Sequence, residues 1–185
     1  MSSKSIPEPW RAFLSEVDAA ANQEIELHCL GGFVIKILYG LERPTADVDV
    51  LPIATNREIQ SVITLANKGS KLHSKHKVYL DVVGVATVPD SYEDRLMEMF
   101  PGAFKHLRLF ALDPYDLALS KLERNAPYDR DDIKHLARVV PFDLELLTTR
   151  YREEMRSYLG IPKREDLKTL QLWIEAIEEE RTSAS

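Results

Sequence analysis

Residues 25 to 53 read as a strand, a short helix and a second strand, and their polar positions are unusual. The pair Gly31–Gly32 stands where the first strand ends and the helix begins, and Asp47-Val48-Asp49 opens the second strand. Successive side chains of a strand point to opposite faces, so both aspartates are expected on one face. Neighbouring carboxylates repel each other unless a cation lies between them. The pattern therefore predicts a cation site on one face of a sheet.

A third isolated carboxylate, Asp81, lies in the apolar strand predicted over residues 78–85 and shares a face with Tyr79. A lone charge is costly to bury in such a strand unless it has a partner or a functional role. Three carboxylates suit two divalent ions, a clamp for in-line phosphoryl displacement, and oxygen ligands favour Mg²⁺ or Mn²⁺ over zinc. The alternative is that Asp81 is a solvated edge residue and that Asp47 and Asp49 are a turn pair.

The glycine pair has a physical reason of its own. A phosphate approaches a backbone closely only where no Cβ intervenes. Amide N–H groups at the start of a helix also point at a bound anion. Gly31 and Gly32 are therefore expected to contact the phosphates of a nucleotide, and the alternative is a tight turn between strand and helix. Gly40 is expected to end the helix.

The remainder of the chain divides into two halves of different character. Strands and helices alternate up to about residue 112, and only helical patterns follow. Within the first half, we expect a loop or ragged strand over residues 68–77 and a helix around residues 92–99. Four lysines in the first of these segments are expected either to contact RNA phosphates or to be solvated.

Composition excludes several classes of protein. The net charge of -6 argues against general affinity for nucleic acid, but it is compatible with a local basic patch because net charge does not describe distribution. The single cysteine, Cys29, cannot form an intrachain disulfide, which fits a reducing cytoplasm. The sequence contains no run of about 18 apolar residues, so we expect no membrane span.

A glycine pair, a short helix, Asp-x-Asp and a later strand aspartate together resemble the nucleotidyltransferase superfamily with the DNA polymerase β-like palm. That superfamily usually has Gly-Ser, and here Gly32 replaces the serine. The resemblance implies an α/β (α+β) fold, with a small mixed sheet flanked by helices over residues 1–112. A C-terminal helical lobe over residues 113–185 would pack on this core.

The segment YGLERPTADVDV is similar to the minimal nucleotidyltransferases of the AbiEii and MenT kind, the toxin halves of bacterial toxin–antitoxin pairs. That group commonly has Arg and Thr before Asp-x-Asp, as Arg43 and Thr45 stand here. It also has a helical lysine followed by two spaced acids, which Lys121, Asp129 and Asp132 match in DLALSKLERNAPYDRDDIKHLAR. Tyr128 stands where arginine is frequent in the group.

The resemblance implies transfer of a nucleoside monophosphate from an NTP to an acceptor hydroxyl. It assigns metal binding and catalysis to three carboxylates, Asp47, Asp49 and Asp81. It assigns nucleotide binding to Gly31, Gly32, Arg43, Thr45, Lys121, Asp129 and Asp132. Lys121 is expected to be catalytic as well. Asp81 either completes the second metal site or draws the proton from the acceptor. Read from the residues alone, Lys121 is also compatible with a surface lysine and Asp129 with a helix cap.

The implied acceptor is a tRNA 3′ end, with a cognate antitoxin as a possible partner. The alternatives are transfer to a protein hydroxyl, transfer to a small antibiotic, and a catalytically silent scaffold that binds a nucleotide or a partner protein.

Overall fold

The computed structural model describes residues 6–52, 57–84, 87–159 and 164–183. The chain groups into two compact units. The first comprises Met1–Gly84 and Leu96–Ala111, and the second comprises Val85–Arg95 and Leu112–Ser185. The short segment Val85–Arg95 thus groups with the C-terminal part of the chain.

The first unit is built on a five-stranded mixed sheet with the strand order β3-β2-β1-β5-β4. Its elements, in chain order, are α1 (Trp10–Ala20), β1 (Ile25–Leu30), α2 (Gly31–Tyr39), β2 (Asp47–Val50), α3 (Arg57–Ala66), α4 (Lys71–His76), β3 (Tyr79–Val82), β4 (Met97–Met99) and β5 (Leu107–Ala111). The pairs β1–β5 and β2–β3 are parallel, whereas β1–β2 and β4–β5 are antiparallel.

The core of this unit forms where the sequence is most apolar. Most side chains of the central strand β1 are buried, and α1 buries the face that carries Trp10, Phe13, Leu14 and Val17. Helix α2 ends at Gly40, whose φ of 76° is a left-handed conformation that glycine adopts without steric cost. The predicted strand, helix and second strand are thus present. Two strands are shorter than predicted, because β2 ends at Val50 and β3 ends at Val82; the predicted ends Ile53 and Val85 themselves lie outside the described residues.

Two local predictions were wrong. The segment 68–77 is not a loop or ragged strand, because it contains α4, in which Leu72 is buried and Ser70 Oγ accepts the N–H of His73 as an N-cap. Residues 92–99 do not form one helix. A single 3₁₀ turn, Tyr92–Arg95, is followed by β4, which pairs with β5 at the sheet edge, so long-range pairing decides the outcome.

The second unit is helical in the residues that the structure describes. After the 3₁₀ turn Tyr92–Arg95 come α5 (Pro114–Leu119), α6 (Pro127–Val139), α7 (Leu144–Arg150), a π-helical turn (Tyr151–Met155), a 3₁₀ turn (Arg156–Tyr158) and α8 (Arg164–Ser183). Asp113 caps α5 by accepting the N–H of Asp116, and Tyr151 and Trp173 are among the largest buried side chains. A mixed sheet flanked by helices, with a helical C-terminal region, confirms the predicted α/β (α+β) fold class.

Candidate metal and nucleotide site

Three carboxylates meet on one face of the sheet, and we call Asp47, Asp49 and Asp81 the carboxylate triad. Strands β2 and β3 run in parallel with Asp49 opposite Asp81, which brings together side chains from distant parts of the sequence. One carboxylate oxygen from each residue lies within 4.8 Å of the others. Ligands on opposite sides of one Mg²⁺ ion lie about 4.2 Å apart. Small side-chain movements therefore suffice for the triad to hold divalent cations.

Gly31 makes room for one member of the triad. Its φ is +73°, and a Cβ built there would lie 2.0 Å from Asp49 Oδ2 and 2.9 Å from Asp49 Cγ. A side chain at this position would therefore overlap the carboxyl group of Asp49. The missing Cβ was expected to admit a phosphate, but the space is filled by Asp49.

Arg43 and Thr45 also lie beside the glycine pair. A Cβ at Gly32 would lie 3.3 Å from both Arg43 Nη2 and Thr45 Oγ1, closer than most Cβ contacts. Thr45 Oγ1 donates a 2.6 Å hydrogen bond to Asp47 Oδ1. The two residues that precede the Asp-x-Asp motif are thus in contact with the site in space as well as near it in sequence.

The triad creates a strongly negative environment. The pKa of the Tyr79 phenol is raised, first by burial and then by the charges of Asp47, Asp81 and Asp49. The pKa of the Cys29 thiol is also raised, mainly by burial and further by Asp49. Cys29 is fully buried, as expected of a small apolar side chain. The surroundings of the triad thus favour bound cations.

In the second unit, Lys121, Asp129 and Asp132 form a buried group that we call the lysine cluster. Lys121 Nζ donates to Asp129 Oδ1 at 3.1 Å and to Asp132 Oδ2 at 2.9 Å. Lys121 is 3% exposed and both aspartates are fully buried, so Lys121 is not a surface lysine. Lys121 thus pairs with Asp132 as well as with Asp129.

Asp129 has two structural tasks at once. Its Oδ2 accepts the backbone N–H of Ala126, which caps α6, and both its oxygens bind the guanidinium of Arg124 at 2.6–2.9 Å. Burial opposes ionisation of Asp129, but Arg124, Lys121 and the Ala126 N–H outweigh it and lower the pKa. The carboxylate form is therefore the stable one in the folded unit.

The predicted site residues thus fall into two groups. The first unit brings together the carboxylate triad, Gly31, Gly32, Arg43 and Thr45, and the second unit holds the lysine cluster. Sequence reasoning gave Tyr79 no role, although strand alternation places it on the same face as Asp81. The register shows why this matters, because Tyr79 lies directly opposite Asp47.

One comparison with known proteins identifies a family. A family described as "Nucleotidyltransferase of unknown function (DUF6036)" matches residues 12–181. No curated protein and no solved structure gives a significant match to the chain. None of the helices in the described residues combines the length and the apolar character needed to cross a bilayer.

Proposed function

The chain belongs to this family of nucleotidyltransferases, and from that premise we propose that it transfers a nucleoside monophosphate from an NTP to an acceptor hydroxyl in a metal-dependent reaction that releases pyrophosphate. The observation that carries the metal dependence is the carboxylate triad, whose oxygens converge within 4.8 Å. The donor set consists only of oxygen, which fits Mg²⁺ or Mn²⁺.

The triad residues have distinct roles in the proposal. Asp47 and Asp49 hold the cations, with Asp47 oriented by its hydrogen bond from Thr45. Asp81 is more exposed than the other two, and it either completes the second cation site or accepts the proton of the acceptor hydroxyl. When bound, divalent ions neutralise charge on the triphosphate and orient the reacting oxygens.

Phosphate binding is assigned to the residues around the start of α2. Arg43 and Thr45 lie beside Gly32, so a cationic donor and a hydroxyl group already bonded to Asp47 are close to the backbone that is proposed to contact the β- and γ-phosphates. Gly31 is proposed to contribute its backbone N–H only, because Asp49 fills the space next to its Cα. In the proposal, the rate of transfer is raised by positioning of the reacting groups and by electrostatic stabilisation of the charge on the phosphates.

The lysine cluster is assigned to the leaving group on the strength of the family resemblance. An ammonium group has three N–H donors, and Asp129 and Asp132 engage Lys121 Nζ from two directions. In the proposal, Lys121 neutralises charge on pyrophosphate while the two aspartates orient its ammonium group.

The acceptor is proposed to be the 3′ hydroxyl of a tRNA, and the chain is proposed to be the toxin of a toxin–antitoxin pair. Support for both comes from the similarity of the segment YGLERPTADVDV to the AbiEii and MenT group. A cytoplasmic location follows from that role.

The test is transfer of label from each of the four α-³²P NTPs, with Mg²⁺, to total bacterial RNA and protein. The wild type is compared with an Asp47→Ala/Asp49→Ala double variant and with Asp131→Ala, which removes an exposed carboxylate on α6. Label in a tRNA-sized band, lost only in the double variant, is the expected result. Label in protein bands would show that the acceptor is a protein and not RNA. No transfer by folded wild-type protein would overturn the proposal.

A further inference from the structure

The chain carries a basic segment that interrupts its acidic composition. Between Glu58 and Asp81 there is no acidic residue, although the whole protein has 30 Asp and Glu. Four lysines and two histidines lie in this interval, within residues 68–77. The segment leads directly into β3, the strand that carries Asp81. Four of the 24 Lys and Arg residues thus lie, with no acidic residue between them, in the segment that precedes a strand of the carboxylate triad.

Tyr79 joins this basic segment to the triad. It is the register partner of Asp47, and strand alternation places it on the face of Asp81. Lys68 Nζ lies 5.7 Å from the centre of the Tyr79 ring, and the His73 ring contacts it edge-on at 4.9 Å between centroids. A bridge between Asn67 and Leu80 fixes the residue preceding Lys68 alongside β3. Lys68, His73 and Tyr79 therefore form one continuous surface.

The hydrogen bonding of His73 leaves a donor for a ligand. The backbone N–H of Gly69 donates to His73 Nδ1 at 2.9 Å, so in the neutral ring the proton lies on Nε2. Lys75 and His76, on the same helix, are instead bound by Glu16 at 2.5 Å and 2.9 Å. Lys68 thus brings positive charge to the Tyr79 ring, and His73 adds a hydrogen-bond donor.

The strand order separates this surface from the proposed phosphate site. Gly31 directly follows β1 and contacts Asp49 from one side, whereas Tyr79 lies in β3, on the other side of β2. In-line displacement requires the attacking and leaving groups to lie on opposite sides of the transferred phosphorus. A surface across β2 from the glycine pair therefore suits the acceptor rather than the NTP.

We propose that Lys68, His73 and Tyr79 form the binding surface for the acceptor strand, a single-stranded RNA end. A base near the 3′ end stacks on the Tyr79 ring, and Lys68 and His73 contact the adjoining phosphate. Stacking on an aromatic side chain tolerates any base, and a lysine supplies a point charge to the backbone. This inference rests on the proposed function, because it names where the acceptor of that reaction binds.

The test separates RNA binding from transfer. Binding of a 5′-fluorescein-labelled single-stranded RNA decamer is measured by fluorescence anisotropy without NTP, so that no transfer occurs. Tyr79→Ala and Lys68→Glu are each expected to weaken binding about 5-fold or more. Tyr79→Phe keeps the ring and is expected to bind as the wild type does. The matched control is Lys105→Glu, which makes the same charge change at an exposed lysine before β5, a strand that β1 and β2 separate from β3.

The two proposals fail in different ways. Label transfer to RNA combined with wild-type RNA binding by Tyr79→Ala and Lys68→Glu would overturn the acceptor surface and leave the reaction intact. If Lys105→Glu weakened RNA binding equally, the acceptor surface would also be overturned, since the effect would then come from the net charge of the protein. Absence of any RNA binding by the wild type would have the same result. Loss of transfer without loss of binding in the Asp47→Ala/Asp49→Ala variant would support both proposals.

Discussion

Thr45 Oγ1 donates a hydrogen bond to Asp47 Oδ1 over 2.6 Å, two residues along the chain. The bond fixes one oxygen of Asp47, and both side chains are half-buried. Mutation of groups that orient metal ligands in this way commonly costs about 10- to 100-fold in metal affinity. The contact gives Thr45 a task that does not depend on the nucleotide.

Replacing Thr45 by valine, which keeps the shape and removes the hydroxyl, is expected to weaken Mn²⁺ binding about 10-fold or more. Thr45→Ser retains the donor and is expected to restore most of the affinity. Isothermal titration with Mn²⁺ in the absence of NTP measures both variants. Unchanged affinity in Thr45→Val would show that the hydrogen bond does not orient a metal ligand.

Gly31→Ala is expected to abolish metal binding and transfer, because the new Cβ would lie 2.0 Å from Asp49 Oδ2 and displace that carboxylate. The control is Gly40→Ala. Gly40 has a similar φ of +76° but no neighbour within 4 Å of an added Cβ. Both variants carry a backbone penalty of about 1–2 kcal/mol, and Gly31→Ala should lose more stability in urea because Asp49 must also move. Only Gly31→Ala should lose Mn²⁺ binding, and equal loss in both variants would contradict the role of Asp49.

Asp81→Asn is expected to raise the melting temperature in EDTA, because it relieves repulsion within the carboxylate triad. The same variant should lose much of the increase in melting temperature that Mg²⁺ gives to the wild type, since ligands that bind only the folded state stabilise it. Differential scanning fluorimetry with EDTA and with Mg²⁺ checks both effects. Asp131→Asn is the control, and a Mg²⁺ response in Asp81→Asn equal to that of the wild type would exclude Asp81 as a ligand.

Lys121→Met is expected to destabilise the protein by about 3–5 kcal/mol, because it leaves Asp129 and Asp132 buried without their shared cation. Lys134→Met, on α6 and outside the lysine cluster, should cost much less. Urea unfolding followed by circular dichroism gives the two values. A loss of transfer by Lys121→Met without loss of stability would instead favour a purely catalytic lysine.

The Asp18 carboxylate makes the free energy of unfolding depend on pH in the acidic range. Burial raises its pKa, but the backbone N–H groups of His106, Leu107 and Lys105 outweigh that effect, so the pKa lies below the usual value. The unfolded chain then binds the proton more readily. The stabilisation is fully present above about pH 4 and is lost as pH falls through the folded pKa.

Asp18→Asn is accordingly expected to reduce the free energy of unfolding by about 1 kcal/mol at neutral pH. Its stability should fall less steeply than that of the wild type below about pH 4, and the two curves should approach each other at the acid end. Urea unfolding between pH 2.5 and pH 7 provides the comparison. Parallel curves over the whole range would show that the Asp18 carboxylate contributes nothing through its charge.

Local sequence patterns predicted the parts of the structure that depend on local physics. Alternation placed Asp47 and Asp49 on one face, and Gly40 ended α2 because glycine adopts its φ of 76° freely. The family resemblance, rather than the spacing, singled out Lys121 and Asp132, which are in contact 11 residues apart.

Contacts between residues far apart in the chain could not be predicted from the sequence. The buried carboxylate of Asp116 binds Arg95 and Arg150, which lie 21 and 34 residues away, and no local pattern selects those partners. The contact between Gly31 and Asp49 also depends on the pairing of β1 with β2, so a strand-to-helix turn alone did not reveal it. Helix α4 was not predicted because its residues are mostly charged or polar, and one buried side chain, Leu72, is too weak a hydrophobic pattern to indicate a helix.

The interleaving of the two units has a consequence during protein synthesis. Residues 85–95 leave the ribosome before the helical region that contains their partners, since Arg95 binds Asp116 and Glu154, and the Asp90 N–H donates to the Glu154 carbonyl. The contact with Asp116 has to wait for the start of the helical region, and the contacts with Glu154 have to wait until residue 154 has been translated. A chain truncated at residue 112 would keep every strand of the sheet yet expose the Arg95 guanidinium, which makes such a fragment a poor substitute for the N-terminal unit.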